Sequence, residues 1–528
     1  MHDASLAGRL ETRAEGSFLR PVMALAAFMG AVAALSQAPF DLWPLGLIGL
    51  AGLYLLFRAA LRPLRAFWVG WAGGAGYFAA SMFWIVEPFF VDPWRHGWMA
   101  PFALVFLSGG LALFWGGAFA LARRLAGADA RAGALAWIAA LTLAEMARSY
   151  VLTGFPWGLV GYVWAASPLS LFAAWIGPHG LSLVALAVAV ALARLFGPRG
   201  TGRWLALAGL VVVAGALIWA WPRAGGLYAD TPSYTAPDAP VIRLIQPNAA
   251  QDRKWDPDHI MTFWKRQLEY TAAGQDRARL DLIVWPETAI PWLLDDAQGA
   301  FDLITQASGG VPVVLGLRRF DGPRLMNSAV VLDAQAQVTA LYDKHHLVPF
   351  GEYVPLGDLA ARFGIHGLAA GEGDGYSAGP GAALLDLPGI GPALPLICYE
   401  AVFPQDVNAA PSRPRVLLQM TNDAWFGKFS GPYQHLQQAR MRAIEQGLPM
   451  IRVANTGVSA MIDAQGRITA RLALNTAGHI DAPLPPALAP TLYSRTRDWA
   501  ALIAALLVLV SARVLARRIA ARQPTSDG

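Results

Sequence analysis

The chain contains a single cysteine, Cys398, and a lone thiol cannot close an internal disulfide. It follows the apolar run Ala393-Leu-Pro-Leu-Ile397 and precedes Tyr399-Glu400. Two readings remain: a core thiol, since free cysteine is among the most buried residue types, or a nucleophile. A nucleophilic cysteine reacts as thiolate and needs a base or a positive neighbour. Glu287 ends the strand-like run Leu282-Ile-Val-Trp285 within Trp-Pro-Glu-Thr, and Lys344 stands in Tyr342-Asp-Lys-His-His346. A glutamate, a lysine and a cysteine in that order, each at the end of a β-like run, are the parts of an acyl-transfer site. Each also has a structural alternative: a loop cap for Glu287, a solvated surface lysine for Lys344. Lys344 is one of four lysines against thirty-seven arginines. Its compact ammonium suits an oxyanion, and arginine is no equivalent substitute. The His345-His346 pair has no helical partner at ligand spacing, so neither metal nor cofactor is expected. There is no Gly-x-Ser-x-Gly and no phosphate loop.

The elements that must hold these residues lie in an insert with its own texture. Short β-rich runs occur at 241–245, 282–285, 312–317, 329–332, 394–397, 416–420 and 450–454, separated by Gly/Pro/Asn/Asp clusters. Helical spacing covers 257–274 and 432–447, the latter stopped by Gly447. Strands alternating with helices predict one α/β sandwich-type domain over 223–497.

The rest of the chain is of another kind. With 528 residues, 55% hydrophobic, 15% charged and a mean hydropathy of +0.40, it is too apolar for a soluble protein of this length. A span needs roughly 20 mostly apolar residues. Seven such segments precede residue 223, at about 20–37, 44–61, 66–87, 98–122, 132–150, 168–196 and 204–222, and an eighth covers about 498–516. The expected organisation is therefore a membrane domain over 1–222, the insert over 223–497, and a last span with its tail over 498–528. Twenty Trp and thirteen Tyr suit aromatic belts at the two interfaces. A net charge of +5 could suggest nucleic acid, but the arginines fall in alternate loops: Arg9, Arg13 and Arg20; Arg58, Arg62 and Arg65; Arg123, Arg124 and Arg131; Arg194, Arg199 and Arg203; Arg513, Arg517, Arg518 and Arg522. By the positive-inside rule these loops and both termini are cytoplasmic and the insert lies outside. The first apolar run read as a cleaved signal peptide would leave the following arginine-rich loops unexplained. Only the ends, 1–15 and 521–528, are poor enough in complexity to be disordered. Glu145 and Arg148 sit one turn apart at the end of the fifth segment, a candidate functional pair or a structural one. Gly177-Pro-His-Gly180 is expected to break the sixth.

Taken together, these motifs resemble the nitrilase superfamily, on Glu287 in Trp-Pro-Glu-Thr, Lys344 in Asp343-Lys-His-His-Leu-Val-Pro-Phe-Gly-Glu-Tyr-Val-Pro355 and Cys398 in Ile397-Cys-Tyr-Glu400. The membrane setting narrows the resemblance to the apolipoprotein N-acyltransferase family. Further motifs carry it along nearly the whole chain: Ala38-Pro-Phe-Asp-Leu-Trp-Pro44, Gly154-Phe-Pro-Trp157, Trp255, Asn422-Asp-Ala-Trp-Phe426, Gln438-Ala-Arg-Met-Arg-Ala443 and Ala454-Asn-Thr-Gly457.

The resemblance implies an αββα nitrilase-like domain beside about eight spans, in a bacterial inner membrane, with the catalytic domain in the periplasm. It implies a two-step reaction in which Glu287 takes the thiol proton and Cys398 attacks the sn-1 ester of a phospholipid, typically phosphatidylethanolamine. The thioester then acylates the α-amino group of a diacylglyceryl-cysteine at an apolipoprotein N-terminus. Lys344 and the Tyr399 N–H would hold the oxyanion, and Glu352 would orient Lys344. Trp255, Tyr399 and Glu400 would lie near the acyl site. Alternatively, Glu352 is a surface carboxylate, Trp255 packs a mobile loop and Glu400 caps the turn after Cys398. A monomer is expected, with lipid, lipoprotein and membrane as partners and no nucleic acid. Two rivals are a tethered nitrilase-type amidase with water as acceptor, and a transporter or scaffold, which predicts more intramembrane charges than this chain has.

Overall fold

The computed structural model describes residues 3–197, 200–224, 237–274, 279–355 and 375–522; in the first helix, side chains are described from Leu19 onward. Arg199 and the tail from 523, both used in the sequence reading, fall outside the described residues. Two compact units emerge: residues 1–83, 101–222 and 498–528 form one, and 84–100 with 223–497 form the other. The stretch 84–100, between the third and fourth apolar segments, thus groups with the second unit.

The first unit is helical. Helices Asp3–Ala34, Trp43–Ala59, Pro63–Ser81, Ala100–Ala126, Ala130–Tyr150, Ala173–Leu195, Thr201–Ala224 and Trp499–Ala520 follow the eight apolar segments. The first begins at Asp3, where irregular chain was expected, because its Ala, Leu, Arg and Glu residues are strong helix formers. Among the described residues, five helical stretches are long and apolar enough to cross a membrane, or six if Pro63–Ser81 and Phe83–Phe90, bent by 48°, count as one. Leu19–Ala34 and Trp43–Ala59 are apolar but shorter. Helix Thr201–Ala224 exposes Val211, Val212 and Ile218, and Trp499–Ala520 exposes Leu506, Leu507 and Val510, as expected where lipid is the solvent. Small residues let the first and third helices touch: a Cβ on Gly30 would fall 1.9 Å from the Gly73 carbonyl oxygen, and one on Gly76 2.0 Å from that of Ala27. The expected break occurs at Gly177, whose φ of 64° and ψ of −177° no helix accommodates.

Among the described residues, the second unit carries two six-stranded sheets. We number its strands β1 (Val241–Gln246), β2 (Leu282–Val284), β3 (Val313–Asp321), β4 (Arg324–Leu332), β5 (Val338–Asp343), β6 (Leu385–Leu387), β7 (Gly391–Ile397), β8 (Val416–Thr421), β9 (Met450–Ala454), β10 (Ser459–Ile462), β11 (Ile468–Leu472) and β12 (Gly478–Pro483). The first sheet runs β12-β1-β2-β3-β4-β5 and the second β11-β10-β9-β8-β7-β6. They pack face to face, β1 against β9 and β10, and β4 against β7. Helices Ile260–Ala272 and Gln298–Ser308 cover the first sheet, burying Trp264, Trp285, Phe301 and Ile304. Helix Gly431–Gln446 covers the second, burying Leu417, Leu436, Ala439 and Ala443. The layers are helix, sheet, sheet, helix. All seven expected runs are strands; β5, β6, β10, β11 and β12 were not anticipated. β5 is largely exposed and β6 is three residues long, so neither carries a clear buried pattern. The central β1–β2–β3 and β7–β8–β9 pairs are parallel, and Glu287 and Cys398 follow the carboxyl ends of β2 and β7, where open α/β sheets gather their ligands.

Candidate active site

Glu287 comes close to β3 because Gly316 has no side chain: a Cβ there would lie 2.7 Å from the Glu287 Cα and 2.5 Å from the Thr288 nitrogen. The Glu287 carboxylate accepts from Asn327 Nδ2 on one oxygen (2.7 Å) and from the Asn422 backbone N–H on the other (2.8 Å). Burial pushes its pKa up, and Glu352 adds to this against the pull of Lys344.

Lys344 directly follows β5 and is 1% exposed. Its ammonium lies 2.8 Å from Glu352 Oε2, donates to Glu352 Oε1 at 2.9 Å, and sits 3.7 Å from Glu287 Oε1. Burial works to lower this ammonium's pKa, but the two carboxylates outweigh it and hold it well above the ordinary lysine range. Glu352 is buried rather than a surface carboxylate. It also accepts from the Val348 N–H (2.8 Å) and from Asn327 Nδ2 (3.3 Å), so Asn327 bridges both glutamates.

Cys398 begins the 3₁₀ turn that follows β7, with φ at +52°, a left-handed conformation that costs a non-glycine residue energy and clusters at functional sites. The thiol is 5% exposed. Burial raises its pKa and Glu287 raises it further, while Lys344 pulls it down. The thiol therefore stays protonated until a nearby base takes the proton.

Its backbone rests on a buried network. Gln419 Nε2 donates to the Cys398 carbonyl (3.3 Å) and lies 3.0 Å from His435 Nε2. His435 Nδ1 lies 2.8 Å from Asp423 Oδ1, and Arg452 is 2.5 Å from Asp423 Oδ2 and also donates to Gln419 Oε1. Burial works to raise the Asp423 pKa, but Arg452 and His435 prevail and hold it below the usual carboxylate range, so it is ionised. His435 Nε2 also lies 3.1 Å from the Cys398 carbonyl oxygen, so the imidazole and the Gln419 amide both face that carbonyl, and burial lowers the ring's pKa. Gly457 leaves room for this: a Cβ there would fall 2.1 Å from Asp423 Oδ2. Asp423 lies in the Asn422-Asp-Ala-Trp-Phe426 motif and His435 in the helix expected over 432–447, but nothing there pointed to the carbonyl of Cys398.

The supporting residues divide. Glu400 is fully buried, accepts from the Ile397 N–H (2.7 Å), the His345 N–H (2.8 Å) and the Tyr342 hydroxyl (2.8 Å), and lies 2.7 Å from His345 Nδ1. It caps the Cys398 turn and ties that turn to the segment bearing Lys344. Tyr399 packs edge-on against His346 and Phe403. Trp255 stands apart from the carboxylates, 36% exposed, with the Lys254 and Arg318 cations each 5.0 Å from its ring centroid. His346 engages Asp406 at 2.8 Å, and among the described residues no group of three or more His, Cys, Asp or Glu could hold a metal ion.

The site combines a buried carboxylate, an ammonium and a thiol, a set able to form and resolve an acyl-thioester. Residues 242–491 match a family model described as carbon-nitrogen hydrolase, and 29–191 one described as apolipoprotein N-acyltransferase N-terminal domain. The apolipoprotein N-acyltransferase of Bradyrhizobium diazoefficiens is 38% identical over 94% of this chain and 95% of its own. That of Caulobacter vibrioides is 39% identical over 94% of each. A solved amidase from Nesterenkonia sp. aligns over 51% of this chain and 98% of its own, at 19% identity and a TM-score of 0.36.

Proposed function

The chain belongs to the apolipoprotein N-acyltransferase family, membrane enzymes of the nitrilase superfamily, and from that premise we propose how its residues divide the work. Glu287 is the base, Cys398 the nucleophile and Lys344 the oxyanion cation, with Glu352 orienting Lys344. The donor is a phospholipid such as phosphatidylethanolamine, and the acceptor a diacylglyceryl-cysteine at an apolipoprotein N-terminus.

The observation that carries this reading is the buried Glu287–Lys344–Glu352 cluster, whose charges act on the Cys398 thiol. The negative charge of Glu287 opposes a thiolate. Moving the thiol proton to Glu287 removes that opposition and leaves the thiolate facing Lys344. The sulfur attacks the sn-1 ester carbonyl, and Lys344 with the Tyr399 N–H holds the oxyanion. Collapse expels the lysophospholipid alkoxide, which takes the proton from Glu287. In the second half the neutral α-amine attacks the thioester and gives its proton to Glu287. The departing thiolate recovers that proton, leaving the amide and the free enzyme. Glu400 and Tyr399 fix the turn that presents the sulfur, and Trp255 borders the lipid entrance. The thioester must be shielded from water until the amine arrives.

In this reading all eight apolar helices cross the bacterial inner membrane. Residues 1–222 form the membrane domain, 223–497 the periplasmic catalytic domain, and 498–528 the last span and tail, with both termini cytoplasmic. The enzyme is a monomer. Sharing a chain with membrane helices confines the search for two lipid substrates to nearly two dimensions.

The test is intact-protein mass spectrometry of the purified chain mixed with phosphatidylethanolamine and no acceptor. The expected result is a one-acyl adduct that hydroxylamine removes, that passes to a diacylated lipopeptide, and that Cys398→Ala lacks while still inserting into membranes. No adduct with lipid demonstrably bound would overturn the donor assignment, and an adduct on Cys398→Ala would overturn the nucleophile.

A further inference from the structure

Arg318 stands on β3 directly opposite Asn327 on β4. Paired residues of an antiparallel ladder share a sheet face, their Cβ atoms roughly 5 Å apart. That face is the active-site face, because Asn327 donates to both Glu287 and Glu352. The neighbouring Arg319 is neutralised by Asp343, at 2.9 and 2.6 Å. Arg318 is not: among the described residues its side chain has no carboxylate partner, the guanidinium's one hydrogen bond is a 3.5 Å contact to the Pro291 carbonyl, and its buried Nε finds no acceptor. The guanidinium lies 5.0 Å from the ring centroid of Trp255, which is 36% exposed.

The second cation at this ring, Lys254, is already committed to the Thr288 hydroxyl (3.0 Å) and the Glu287 carbonyl (3.3 Å). Burial, with Arg318's charge added, lowers its pKa to about 8 despite the opposing pull of Glu287. A cation–π contact alone accounts for the ring's position but leaves the donors of Arg318 unfilled. An arginine fork with spare donors beside an acyl-transfer centre has the shape to take a tetrahedral oxyanion group two-pronged. The partial exposure of Trp255 leaves that group a way in.

We propose that Arg318, braced on Trp255, is the subsite for the phosphodiester of the acyl donor. This rests on the phospholipid-donor reading above and adds to it the residue that distinguishes a phospholipid from a neutral ester. A free glycerophosphodiester carries the same anion and binds the same fork.

The experiment uses the full chain in mixed micelles and follows thioester formation from phosphatidylethanolamine and from p-nitrophenyl palmitate, a neutral donor. Arg318→Gln is expected to lower the ratio of kcat/KM for phospholipid over neutral ester about ten- to hundredfold, mainly through KM. Arg318→Lys, which keeps the charge and loses the fork, falls between. Glycerophosphoethanolamine is expected to compete with phospholipid on the wild type and to do so about tenfold more weakly on either variant. Equal losses with both donors would reduce Arg318 to a support for Trp255, and unchanged phospholipid kinetics would remove the subsite. If Arg318→Gln does not fold, the lysine variant and the wild-type competition decide: no competition overturns the proposal. A wild type that takes acyl groups from the neutral ester but never from phospholipid overturns the donor reading and the subsite together, whereas wild-type phospholipid turnover with indifferent variants overturns the subsite alone.

Discussion

Each unit of this protein buries a cluster of charges, and the two are built on opposite rules. In the helical unit Glu145 and Arg148 pair at 3.0 Å with both side chains fully buried. Every oxygen and every guanidinium nitrogen is occupied: Glu145 accepts from Trp115 Nε1 (3.0 Å) and the Val160 N–H (2.9 Å), and Arg148 donates to the Phe155 (2.5 Å) and Trp157 (2.7 Å) carbonyls as well as to Glu145. One anion meets one cation, and the remaining valences tie down the loop that follows the helix. In the α/β unit two carboxylates share the single ammonium of Lys344, one at 2.8 Å and the other at 3.7 Å, with a thiol in the same field. The first cluster is balanced and has nothing left to do. In the second, Glu287 shares Lys344 with Glu352 and also feels Lys254, and the thiol in the same field still carries a proton to give up. Burial of charge by itself does not mark a functional site; a transferable proton beside the buried charges does.

That comparison can be broken at several points. The largest loss is expected for Glu287→Gln, which leaves the thiol without a proton acceptor and should cut single-turnover thioester formation about 10²–10⁴-fold. Lys344→Arg keeps the charge but not the compact ammonium, and should lower kcat by about 10²–10³-fold; wild-type turnover in this variant would remove the oxyanion role. His435→Ala is expected to lower kcat roughly ten- to hundredfold with KM unchanged, because it loosens the Gln419 amide that holds the Cys398 carbonyl; a change confined to KM would contradict that. The pH profile sharpens the same contrast. As the proposed base Glu287 must be ionised, and burial raises its pKa, so the rate is expected to fall as pH drops through a value above the ordinary carboxylate range. That acid limb should be missing from the residual activity of Glu287→Gln. The smallest effect on chemistry is expected at the balanced pair. Arg148→Met strands a buried carboxylate, which should cost about 3–5 kcal/mol of stability, seen as a lower unfolding temperature, while turnover per folded molecule stays at the wild-type level.

Much of the site could be read from the chain because its chemistry is punctuated locally. Trp-Pro-Glu-Thr ends one strand and Ile-Cys-Tyr-Glu ends another, and a strand end is where a side chain can leave the sheet for a site. Asn327 escaped notice because it lies in the middle of β4 and matters only through its register with β3 and its reach to two distant glutamates. Gln419, Asp423, His435 and Arg452 escaped for the same reason, since each is unremarkable in its own strand, turn or helix. Glu352 read equally well as a surface carboxylate until the loop around it buried it against Lys344. The edge strands β5 and β11 were missed because partly exposed strands lack the apolar run that announces a buried one.

By itself the sequence determined which atoms could react and which stretches are apolar enough for lipid. A single thiol is a matter of count, and a run of some 20 apolar residues is a matter of local order. Only the tertiary structure decided the electrical state of those atoms: that Glu287 is harder to ionise than usual, that Lys344 is held charged, and that Cys398 keeps its proton in a left-handed turn. The reason is physical. Desolvation and Coulomb interactions act over a few ångströms of space, and folding alone brings the ends of separate strands within that distance.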